Sequence, residues 1–139
     1  MALKITLKPR ERMVLGGAVI SNATTKSSAL IIENNVPILR RKDILTEKDA
    51  NSPCRRIYFI IQLMYVDEEH LVTHHRTYWK LVQGLVKAAP STLVFIDQIS
   101  MHILAGRYYQ ALKVADKLIH YEREISKGVR ESAKNLRIR

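Results

Sequence analysis

The chain has 139 residues, 47 % of them hydrophobic, and 23 Lys and Arg against 13 Asp and Glu give a net charge of +10. Apolar content near half excludes a disordered chain, and the length suits one ordinary core or two small modules sharing an interface. The lone cysteine, Cys54, excludes an internal disulfide and a multi-cysteine zinc site and fits a reducing compartment, while the charge points to a polyanion or an acidic partner.

The first residues, "MALKITLKPR", alternate apolar and charged side chains and lack the continuous apolar stretch of a secretory leader. The longest apolar run, "IYFIIQLMYV", is about half of what a membrane-spanning helix needs. A soluble, cytoplasmic protein without membrane contact is expected. Over residues 1–45 the pattern has period two or short apolar runs between turn residues. Leu3, Ile5 and Leu7 share one strand face and Lys4, Thr6 and Lys8 the other. "PRER" reads as a turn, "MVLGGAVI" as two strand pieces about Gly16-Gly17, and "SNATTKSS" as a polar loop. "ALIIE" then reads as a buried strand, "NNVP" as a turn, and "ILRR" as a last short strand carrying Arg40 and Arg41. About five short strands predict one small, twisted antiparallel sheet or a partial barrel that needs a covering layer.

Residues 46–128 supply that layer as about four helices. Ser52-Pro53 marks the first start, serine as cap and proline at the first helical position, followed by Ile57, Ile60, Ile61 and Met64 at helical spacing. A second helix is expected from Asp67, with Glu68 and Glu69 in its first turn and Leu71, Tyr78, Val82 and Leu85 inward. Ser91 is the expected cap of a third helix ending near Gly106, and a fourth runs from Tyr108 towards Gly128. "GRYYQALKVADKLI" resembles one helix of a tetratricopeptide unit, but no second copy occurs at a repeat period. Gly106, Ala111 and Ala115 are expected to let the last two helices pack closely. Residues 129–139 read as a basic, flexible tail. The fold class is therefore α+β, a strand module followed by a helical bundle.

No enzyme constellation is present. There is no glycine-rich phosphate loop, and Gly16-Gly17 is too short to mark a nucleotide site. His70 and His74 have a spacing that suits two metal ligands, but without the intervening glutamate of the metalloprotease motif or an evident third ligand no metal is expected. His75, His102 and His120 read as surface or packing residues, and Asp97 and Asp116 as single helical carboxylates. No catalytic residue or cofactor is expected.

The positive signal is where the charge sits. Lys4, Lys8, Arg10 and Arg12 gather around the first strand and turn, and Arg40, Arg41 and Lys42 at the last. If those strands end side by side, the cations form one edge suited to phosphates, with salt-sensitive affinity. Arg55 and Arg56 extend the set in the first turn of a helix, where the macrodipole disfavours cations and an anion must offset them: Asp43, Glu47, Asp49 or a bound phosphate. No Phe, Tyr or Trp precedes Tyr58, so the strand module has no stacking platform of the kind that RNA-recognition motifs and typical single-strand readers use.

"LKITLKPRERMVLGGAVISN", "IENNVPILRRKDILTEKDANSPCRRIYFIIQLMYV" and the helices that follow resemble the FlbT family of flagellin regulators. The resemblance implies a post-transcriptional regulator that binds the 5′ untranslated leader of flagellin mRNA and represses translation or promotes decay, acting alongside the flagellar protein FlaF. Within the first 45 residues, "ITLKPRERMVLGGAV" and "VPILRRKDIL" are also similar to the first and last strands of the carbon storage regulator CsrA. Arg41 and Thr6 match positions of that family, whereas Leu7 replaces an arginine and Lys42 an acidic residue; that family's sheet is dimeric, which implies a homodimer as an open option. A competing reading is a protein-interaction adaptor or chaperone-like factor that acts on flagellin or FlaF through its helices, with Tyr108-Tyr109 on the surface.

Overall fold

The computed structural model describes residues 2–138, with side chains described through 128. Five strands come first: β1 (Leu3–Leu7), β2 (Arg12–Leu15), β3 (Ala18–Ser21), β4 (Ser28–Ile32) and β5 (Ile38–Arg40). Four helices follow, α1 (Pro53–Val66), α2 (Leu71–Ala88), α3 (Leu93–Leu104) and α4 (Tyr108–Ile138), so the fold is α+β in the expected order. The basic tail expected over 129–139 lies outside the residues whose side chains are described.

The strands form two antiparallel sheets where one was expected: β1 pairs with β4, while β2 lies between β3 and β5. The chain changes sheets at "PRER". There Arg10 takes a left-handed φ of 65°, and the Glu11 carboxylate accepts the Lys8 N–H at 2.9 Å. Ile5, Leu7, Met13 and Ile32 form the buried cluster between the sheets. Leu3 shares the face of Ile5 and Leu7 but stays 50 % exposed at the strand end. Gly16, at φ +61°, makes the β2–β3 turn.

Asn22 organises the polar loop. Its buried amide donates to the carbonyls of Leu7 (3.1 Å), Lys8 (3.2 Å) and Lys26 (2.9 Å), and its oxygen accepts from the Thr24 N–H and hydroxyl. One side chain thus satisfies backbone groups that the change of sheet would otherwise strand.

In the helices, the Ser52 hydroxyl accepts the Arg55 N–H at 3.2 Å with Pro53 beside it, as the Ser-Pro pair predicts. The second start differs. Asp67 ends α1, and a 3-10 turn, Glu68–His70, intervenes before α2. Ser91 does not cap α3; it lies within the 3-10 turn Pro90–Thr92, and its oxygen instead accepts the Tyr121 hydroxyl at 2.7 Å. Gly106, at φ +72°, lets the Arg107 N–H reach the His102 carbonyl at 2.8 Å and closes α3. Its role is conformational and not the close packing expected, because an added Cβ would meet nothing within 4 Å. Ala111 and Ala115 are fully buried on α4, against which α1 and α3 both pack.

The modules join through α1. Leu39 of β5 sits inside the helical core, and its burial contributes about 1.5–3 kcal/mol to holding sheet and helices together. Tyr58, Gln62 and Tyr65 lie on one face of α1 and grip the main chain. The Tyr58 hydroxyl donates to the Asp43 carbonyl (2.6 Å), the Gln62 amide brackets Leu45 (2.8 and 2.9 Å), and the Tyr65 hydroxyl accepts the Ile38 N–H (3.1 Å).

Candidate nucleic-acid interface

Arg40 ends β5 and points across to the other sheet. Its guanidinium donates to the Thr6 carbonyl at 2.7 Å and reaches the Glu11 carboxylate at 3.5 Å, so the end of the last strand touches the first although the two belong to different sheets. The Lys8 N–H and the Arg40 charge hold the Glu11 carboxyl below the ordinary carboxylate range. Arg40 is thereby committed partly to joining the sheets. Arg41, expected on the last strand, falls in the 3-10 turn Arg41–Asp43, because β5 ends at Arg40.

Lys4, Arg40 and Lys42 line a hollow between the sheet edge and the helices, together with Asp43, Tyr65 and Tyr109. Lys42 and Asp43 also open onto a second hollow of about 550 Å³, where Arg55 from α1 faces Lys113 and Arg123 from α4 beside Asp49 and Asp116. Arg55 and Arg123 continue into a third, with Ser52, Glu122 and Lys127. The shared residues make one furrow from β1 along the seam between α1 and α4.

Cations dominate it, and its acids are largely engaged. Asp43 faces the Lys113 ammonium at 3.8 Å. Glu122 accepts from the Ser52 hydroxyl at 2.6 Å and the Cys54 N–H at 3.1 Å, placing a carboxylate at the N-terminus of α1. Glu122 is therefore a carboxylate that α4 brings to the helix turn holding Arg55 and Arg56, and it was not among the expected Asp43, Glu47 and Asp49, of which Asp43 and Asp49 line the hollow with Arg55. Among the described residues, Lys42, Arg55 and Arg123 have no carboxylate within ion-pair distance. Arg55 instead donates to the Asn51 side chain at 3.0 Å.

Of the cations singled out in the sequence, Lys4, Arg40, Lys42 and Arg55 come together here. Lys8, Arg10, Arg12, Arg41 and Arg56 are exposed but do not line the furrow, and the side chain of Thr6 is exposed on β1. Leu7 is buried in the small core. Lys113, Arg123 and Lys127 were missed, and Tyr109 was singled out only as a surface residue for a protein partner. The signal for the three that were missed was present: Lys113, Asp116, His120, Arg123 and Lys127 recur at helical spacing along one polar stripe.

Other polar groups are spoken for locally. The Cys54 thiol is buried, and burial, with Glu122 beside it, pushes its pKa up to about 12, which makes it unfit as a nucleophile at neutral pH. Asp67 bridges His74 (2.9 Å) and His70 (3.0 Å) at the α1–α2 corner, and these hydrogen bonds, His74 first, hold its carboxyl below the usual range. Among the described residues, no helix is long and apolar enough to cross a membrane.

Fold and furrow define a small α+β protein with a cationic groove along the seam of its two modules. Residues 3–126 match the model of the family described as "Flagellar protein FlbT", and the chain belongs to the FlbT family. A protein of Bradyrhizobium diazoefficiens named "Probable flagellum biosynthesis repressor protein FlbT 1" is 46 % identical over 125 residues, covering 90 % of this chain and 85 % of that protein. "Probable flagellum biosynthesis repressor protein FlbT" of Rhodopseudomonas palustris is 41 % identical over 90 % of this chain and 98 % of its own. "Flagellum biosynthesis repressor protein FlbT" of Caulobacter vibrioides is 38 % identical, with 93 % and 95 % covered. No solved structure matches the chain. The similarity to the carbon storage regulator expected over the first 45 residues is not shown by these comparisons.

Proposed function

We propose that this protein regulates flagellum biosynthesis after transcription, by binding the 5′ untranslated leader of flagellin mRNA in the furrow and repressing its translation or promoting its decay. The relatives' names supply the repressor role. The observation that carries the RNA reading is the furrow itself, where Lys42, Arg55 and Arg123 face one another without a carboxylate partner among the described residues. Phosphates passing along it would displace condensed counterions at each cation. The binding set is then Lys4, Lys42, Arg55, Lys113 and Arg123, with Arg40 as a clamp that holds the sheet edge in place. Titration of labelled flagellin leader RNA at two salt concentrations tests this: a folded Lys42/Arg123→Ala variant loses affinity and salt dependence together. Unchanged binding overturns the furrow as the RNA site.

A second reading has its own observation. Leu93, Val94, Met101 and Leu104 leave an apolar face of α3 exposed, with Val72 and Trp79 exposed on α2. Such a surface suits a protein partner, flagellin or FlaF, and an adaptor role without direct RNA contact. It is favoured if leader RNA fails to bind while an α3 variant such as Met101→Glu loses a protein partner.

A further inference from the structure

We infer that the hollow between the sheet edge and α4 is a nucleobase subsite, in which an unpaired base stacks on Tyr109 while flanking phosphates meet Lys4 and Lys42. The inference rests on the RNA reading of the furrow and specifies the form of RNA: a single strand or loop, not a duplex.

The strand module has no aromatic residue, yet the hollow that contains its cations is finished by two rings from the helices, Tyr65 and Tyr109. Tyr65 is fixed, since its hydroxyl accepts the Ile38 N–H at 3.1 Å. Tyr109 leans on it with ring centres 6.2 Å apart and planes tilted by 49°. Lys113 stands over the Tyr109 ring, its ammonium 5.0 Å from the centre. Tyr109 nevertheless remains 38 % exposed, unlike Tyr58 and Tyr78, which are buried in the helical core. A ring braced by Tyr65, part-exposed, with Lys113 over it and Lys4, Arg40 and Lys42 lining the same hollow, has the elements that single-strand readers combine: a stacking surface beside charges that follow the backbone. A paired base has both faces covered in its own stack and cannot enter. The platform missing from the strands is supplied across the seam by α4.

Short oligoribonucleotides with 2-aminopurine at each position in turn, alone or annealed to a complement, test this with the full chain at low salt. Bound single strand shows quenching at one or a few positions, and the duplex binds more weakly. Tyr109→Phe keeps the ring and the affinity, whereas Tyr109→Leu weakens single-strand binding by about five- to hundredfold, the range set by stacking of one base, and abolishes the quenching. Tyr109→Leu at wild-type affinity, or equal affinity for strand and duplex, overturns the subsite alone. Bound single strand without quenching at any position does the same and needs no variant. Failure of the wild type to bind either RNA overturns the furrow reading as well, and a protein partner lost on Tyr109→Leu in that case assigns the hollow to protein.

Discussion

Ser52 and Glu122 meet at 2.6 Å across seventy positions of sequence, the hydroxyl donating to the carboxylate while its oxygen accepts the Arg55 N–H. Together they finish the first turn of α1 from the outside. Glu122→Ala is expected to lower stability by about 1–2 kcal/mol, combining a lost cap partner with a lost charge-assisted bond. The measurement is the urea midpoint at neutral pH; a midpoint equal to wild type would show that Ser52 suffices.

Asn22 serves the sheets in a similar way. Asn22→Ala leaves the Leu7 and Lys8 carbonyls without its amide and is expected to cost about 2–3 kcal/mol. Thermal unfolding reads the loss. Asn22→Asp should also destabilise, because a carboxylate offers no donor to those carbonyls.

The furrow makes a graded prediction about salt. Each cation removed from a single-stranded RNA contact should flatten the slope of log affinity against log salt by roughly 0.7. Arg55→Ala and Arg123→Ala are each expected to show that change, whereas Arg12→Ala, outside the furrow, keeps the slope. Fluorescence anisotropy across a salt series checks it, and equal slopes for all three variants count against the furrow.

Asp67 predicts a pH dependence. Its carboxyl is held below the ordinary value of 3.8 by His74 and then His70, so its contribution is fully present above that value and is lost as pH falls through the lowered one. Asp67→Asn should therefore be less stable than wild type near pH 6, with the two converging in strong acid. Denaturation midpoints at several pH values decide it; a constant gap would mean that the carboxylate contributes nothing.

Element type was legible wherever one local pattern decided it. Leu3 to Leu7 alternate, Ser52-Pro53 starts a helix, and Gly106 ends one. The split into two sheets was not legible, because it turns on which strands pair, β1 with β4 and β2 with β3 and β5, and alternation within a strand does not name its partner. The expected cap failed where tertiary contact overrode propensity, as Ser91 turns to Tyr121, and the second start was blurred because Asp67 both ends α1 and precedes the 3-10 turn that runs into α2. The candidate site was half visible. Lys4, Arg40, Lys42 and Arg55 stand out as clustered charge, but Lys113, Arg123 and Tyr109 join them only because α4 packs against α1. Glu122 was hidden for the same reason, since the α1 dipole asks for an anion without saying which helix provides it.

The grip of Tyr58, Gln62 and Tyr65 on α1 is a grip on peptide groups, which every residue carries alike. Mutational drift can therefore rewrite the solvent-facing letters from Lys42 to Asp49 while the hinge between the halves stays seated. Those letters include one wall of the furrow, so its charge can be changed without loosening the scaffold beneath it.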